Sequence, residues 1–101
     1  MPWAYALYLH KRELDMDLLK DTLALNVQYC KDSGVDIWHH AGFDLIEIRG
    51  DGDFQDVEFI QGDDARKILA EADLLFNELG DITYHEALCH LVKPYVEAFL
   101  N

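Results

Sequence analysis

The chain has 101 residues, half of them apolar and 28% charged, which is globular usage in a length that folds as one domain (residues 1–101) rather than two. Its formal charge is −12, a field that repels nucleic acid and anionic membrane and draws in basic partners. The apolar start lacks a basic leader region and a cleavage site and meets Lys11 and Arg12 before it is long enough to cross a bilayer, so neither a secretory signal nor a membrane anchor is expected.

Taken in chain order, Trp3 to Leu9 is an aromatic-rich apolar run bounded by His10, Lys11 and Arg12, which predicts a first strand buried on both faces. From Asp15 onward Met16, Leu19, Leu23, Val27 and Cys30 recur at three- and four-residue spacing, with Leu18 and Leu25 widening the stripe. That periodicity predicts a helix, capped by Asp15 or Asp17 and stopped by Ser33-Gly34. Val35 to His40 and Phe43 to Arg49 read as extended, with a break at Ala41-Gly42. Gly50-Asp51-Gly52-Asp53 is dense in turn residues, and Val57 to Ile60 resumes the extended pattern, so an antiparallel hairpin with an acidic tip is expected.

Gly62-Asp63-Asp64 opens a helix whose stripe is Ala65, Ile68, Leu69, Ala72, Leu75, Phe76 and Leu79, with Gly80 closing it. A last helix starts at Thr83, where Glu86 completes a capping box. It carries Leu88, Leu91, Val92, Tyr95, Val96 and Phe99, and Pro94 inside it predicts a kink near Leu91. The resulting order, β-α-β-β-α-α, predicts an α+β fold: a small, mostly antiparallel three-stranded sheet with three helices packed on one face. Its other face is then open, and carboxylates among Asp44, Glu47, Asp56 and Glu58 are expected to project from it.

Chemistry-bearing spacings are few. His85 and Cys89 lie four apart and so on one side of a helix, and with His39, His40 or Cys30 they form the best metal-ligand candidate. His85 and His90, five apart in a stretch that superficially resembles a zinc-protease helix, diverge by about 140° at 3.6 residues per turn. Asp51, Asp53 and Asp56 alternate as a calcium loop begins, but Asp56 and Gly62 stand where such a loop needs glycine and glutamate. His39 and His40 are adjacent, so a strand points them to opposite faces and they cannot act on one atom. Cys30 and Cys89 are expected as buried free thiols of a cytoplasmic protein. No cofactor is implied, no catalytic constellation is recognisable, and the eight basic residues form no stripe for nucleic acid.

The charge is the informative feature. Residues 36–64 hold nine acids against Arg49 alone, a net −8, whereas residues 1–35 carry −1 and residues 65–101 carry −3. A row of carboxylates can imitate the phosphates that a basic groove binds. The expected function is therefore that of a non-enzymatic acidic binding protein, an inhibitor occupying the basic groove of a nucleic-acid-handling protein. Asp44, Glu47, Asp51, Asp53, Asp56, Glu58, Asp63 and Asp64 are its expected contacts. Small acidic nucleic-acid mimics of mobile elements, such as anti-CRISPR proteins, share this size and charge. Two alternatives stand beside it: an immunity protein or antitoxin for one basic toxin, which would use the same charge, and a metal-dependent enzyme or metal-binding module built on His85, Cys89 and one of His39, His40 or Cys30. Charge alone also serves solubility.

Overall fold

The computed structural model describes residues 2–40, 42–50 and 56–101, with side chains described from Asp15 onward. Its elements are α1 (Pro2–Ser33), β1 (Asp36–His40), β2 (Leu45–Arg49), β3 (Val57–Gln61), α2 (Gly62–Leu79) and α3 (Tyr84–Leu100). The α+β class holds, with three helices and a three-stranded antiparallel sheet in the order β1-β2-β3. The chain order is corrected at its start. No strand forms over Trp3 to Leu9; α1 runs through it, and the third strand is Asp36–His40. Pro2, at the first helical position, has its φ preset, and no glycine or further proline interrupts the chain before Gly34. A strand at the start would need a turn before Asp15, and Lys11-Arg12-Glu13-Leu14 are helix formers.

The helix ends follow local chemistry. Gly34, at φ 75°, ends α1 with its N–H on the Lys31 carbonyl, and Gly80, at φ 71°, ends α2 with its N–H on the Phe76 carbonyl. Thr83 caps α3: its hydroxyl accepts from the Glu86 N–H at 3.0 Å, while the Glu86 carboxylate accepts from the Thr83 N–H at 2.9 Å. Pro94 removes the donor that would bond the His90 carbonyl, yet α3 continues through it to Leu100.

The sheet's two sides differ by register. Ile37 lies opposite Ile48, and Ile46 opposite Ile60, and all four isoleucines are buried on the side facing the helices. There α2 packs on β2 and β3, α3 packs on β1, and α1 reaches the core by lying against α3. The most central element is α3, whose Ala87, Leu88, Cys89, Val92 and Val96 are all buried. From α1 the core takes Leu23, Val27 and Cys30, with Met16 and Leu19 at its margin. Leu18 and Leu25, expected to widen that stripe, stand 64% and 71% exposed on the far side, and Phe76 of α2 is also exposed. Gly50, just after β2, is where α3 approaches most tightly: a Cβ there would lie 3.3 Å from two ring carbons of Phe99. Among the described residues no helix is long and apolar enough to cross a membrane.

Candidate protein-binding face

The open side of the sheet carries Asp36, Trp38 and His40 from β1, Leu45, Glu47 and Arg49 from β2, and Val57, Phe59 and Gln61 from β3, since residues in register share a face. Its middle row is Trp38, Glu47 and Phe59, directly opposed across the three strands. Trp38 is 57% and Phe59 46% exposed, and Val57 is exposed beside them. Glu47 between them is only 6% exposed, the one buried charged side chain among the described residues. Its carboxylate accepts from the Arg49 Nε and, at 3.3 Å, from the His40 Nε2. Arg49 first and His40 second hold the Glu47 carboxyl below the usual carboxylate range against the opposing effect of burial. The partners come from the same face, Arg49 two positions along β2 and His40 on the neighbouring strand.

The eight expected contact carboxylates do not form a row on this face. Glu47 lies on it, buried and neutralised. Asp44, in the turn before β2, and Asp63, at the start of α2, are both held by Arg66 at 3.0 and 2.7 Å. Those two carboxylates in turn raise the guanidinium's pKa. Glu58 points to the helix side, where it borders a shallow recess with Tyr95, Ala98 and Phe99. Asp56, Glu58 and Asp64 are exposed and make no ion pair among the described residues. Asp51 and Asp53, and with them the hairpin tip and the calcium-like spacing, lie outside the described residues.

Register shows where the acids do gather. Asp36, Arg49 and Val57 are level with one another, so Asp36 and Asp56 sit at one end of the sheet. His40, Leu45 and Gln61 are level at the other end, next to Asp44, Asp63 and Asp64. The result is an apolar, aromatic middle with carboxylates at both ends. Interfaces share that anatomy, with a desolvated aromatic centre inside a polar rim.

Beside the face runs the outer edge of β1. Val35 to His39 and His85 of α3 line a groove of about 370 Å³ along that edge. The His39 ring lies 5.1 Å from that of Tyr84, tilted against it, which seats β1 on the start of α3. His39 and His40 do point to opposite faces, as adjacent strand residues must. The metal-ligand candidate is partly assembled: His85 Nδ1 is 3.7 Å from the Cys89 Sγ, and His39 lines the same groove as His85. No group of three or more histidine, cysteine or acidic side chains suited to a metal occurs among the described residues. Cys30 and Cys89 are buried free thiols at the α1–α3 contact, the Cys30 thiol donating to the Cys89 carbonyl at 3.7 Å. The two sulfurs shift each other, the Cys30 thiol downward and the Cys89 thiol, further disfavoured by burial, upward.

The sequence reading missed the Glu47 cluster and the Trp38–Phe59 patch. The usable signal was Ile46-Glu47-Ile48, a carboxylate between two isoleucines that must both face the core, which fixes Glu47 on the opposite side. No protein-family model, curated protein or solved structure matches the chain.

Proposed function

We propose that this is a non-enzymatic binding protein that engages a basic protein partner through the open face of its sheet, the partner being one that handles nucleic acid. The observation that carries the reading is the exposed Trp38 and Phe59 at the centre of a sheet whose segment, residues 36–64, has a net charge of −8. Aromatic side chains bury large areas at little entropic cost, and surrounding charge raises the encounter rate and selects the sign of the partner. The end carboxylates with no ion pair among the described residues, Asp36 and Asp56 at one end and Asp64 at the other, offer a groove lined with lysine and arginine anionic contacts on either side of the aromatic pair. An inhibitor that competes with nucleic acid for such a groove, as the anti-defence proteins of mobile elements do, is the finer form of this reading.

The test is capture of partners from the source cells with the wild-type chain, Trp38→Ala, and the triple reversal Asp56→Lys/Glu58→Lys/Asp64→Lys. Duplex DNA and duplex RNA serve as competitors. Trp38→Ala is expected to weaken the complex about thirtyfold or more, as loss of a hot-spot aromatic does. The reversal is expected to weaken it most at low salt. A partner that both variants retain, or that nucleic acid fails to displace, defeats the proposal.

A further inference from the structure

We infer that the outer edge of β1 is a docking site for an extended basic segment of the partner, which adds to the sheet as a fourth strand. This rests on the proposed function for the sign of the occupant's charge, and on the geometry of β1 for everything else. In the order β1-β2-β3, β1 is hydrogen-bonded on one side only, and among the described residues nothing pairs with its other side. Natural edge strands are blunted by lysine, proline or bulges, and Asp36-Ile37-Trp38-His39-His40 has none of these: its register with β2 is unbroken over all five residues. A row of free N–H and C=O groups selects an extended polypeptide above any other ligand.

The side chains around the edge specify that polypeptide further. A strand alternates its side chains between faces, so an added strand would send every second residue toward the helix side and the others toward the open side. Along the edge lies the groove of about 370 Å³, lined by Val35, Ile37, His39 and His85 toward the helices and by Asp36 and Trp38 toward the open side, wide enough for a medium-sized apolar residue of the added strand. On the open side stand Asp36 and Trp38, two positions apart and both exposed. That spacing matches two basic residues of the added strand, one paired with the carboxylate and the other lying on the indole face. β3 is the sheet's other edge, and the recess beside it is smaller, about 150 Å³. The occupant is therefore a segment that alternates apolar and basic residues, and its seat is β1.

The probe is a capped pentapeptide, Val-Lys-Val-Arg-Val, titrated into the full-length protein with amide hydrogen exchange as the readout. Saturable slowing of exchange in β1, with β3 unchanged, is the expected result. Two N-methylated isomers, blocked at the last two valines or at the two basic residues, separate strand addition from charge attraction. One isomer is expected to lose about tenfold or more in affinity and the other to bind nearly as the parent, since only one set of N–H groups faces β1. Asp36→Lys and Trp38→Ala are each expected to weaken binding. Protection at β3 in place of β1, or equal binding by both isomers, overturns the inference. Concentration-dependent protection of β1 in the protein alone overturns it in favour of a second copy of the chain. If the peptide leaves β1 unprotected while the cellular partner still needs Trp38 and is displaced by nucleic acid, the edge inference fails and the proposed function stands. If a Val-Gln-Val-Gln-Val peptide binds β1 as tightly as the basic one, the basic occupant fails together with the charge argument beneath the proposed function.

Discussion

The two faces of the sheet are built from the same three strands and obey opposite rules. On the helix side Ile37, Ile46, Ile48 and Ile60 are one residue type used four times, because their one task is to exclude water beneath α2 and α3. On the open side no two residues of the middle row are alike, and the most buried of them is a carboxylate rather than a hydrocarbon. A face selected for stability spends its residues on filling space, whereas this one places two aromatic rings in solvent around a neutralised acid. That contrast puts the core on one side and leaves the other for the recognition proposed above.

The sharpest way to break the assignment is at Ile46 and Ile48, both with no exposed surface. Ile48→Ala is expected to cost about 2–5 kcal/mol by chemical denaturation, as cavity-forming core truncations do. A value near zero would mean that the isoleucine side is not the core. Gly50→Ala places a methyl carbon against the Phe99 ring and is expected to cost about 1–3 kcal/mol as an overpacking change, recovered in part by Phe99→Leu.

Glu47→Gln probes the open side through pH. Arg49 and His40 hold the folded-state pKa of Glu47 below its unfolded value, so its contribution is fully present above the ordinary carboxylate range and is lost as pH falls through the depressed value. The variant is expected to melt below the wild type at neutral pH, with the gap closing in acid. A constant gap from neutral to acidic pH would show that packing, and not charge, is what Glu47 supplies. The smallest effect on stability is expected for Trp38→Ala and Phe59→Ala, within about 1 kcal/mol of the wild type, since both residues already stand about half in water. A large loss of stability at Trp38 would move that ring from recognition to folding and remove the centre of the proposed interface.

Much of the fold was legible because its signals are local. The capping box of Thr83 and Glu86 and the glycines after α1 and α2 act through their own backbone, and each lies where its chemistry requires. Trp3 to Leu9 misled because aromatic content is a weak strand signal when no turn follows to let the chain reverse. Leu18 and Leu25 misled because periodicity gives the width of a stripe and not the width of the neighbour covering it; α1 meets α3 along one side only. The acidic site was legible in sum and not in placement. Arg66, twenty-two residues beyond Asp44, pairs with two of the expected contacts, and a partnership of that range depends on how α2 leaves β3.

The free edge of β1 has a consequence for how this chain behaves in concentrated solution. Beside an open aromatic face, an unblunted strand is a template for stacking one copy onto another, the usual first step toward insoluble assemblies. No lysine or proline guards it, so the net charge of −12 is left to keep copies apart. Neutralising that charge, by high ionic strength or by acid near the isoelectric point, removes the guard without touching the edge. The protein is then expected to cloud reversibly while still folded, whereas a variant with a lysine in the edge, Trp38→Lys, would need to unfold first.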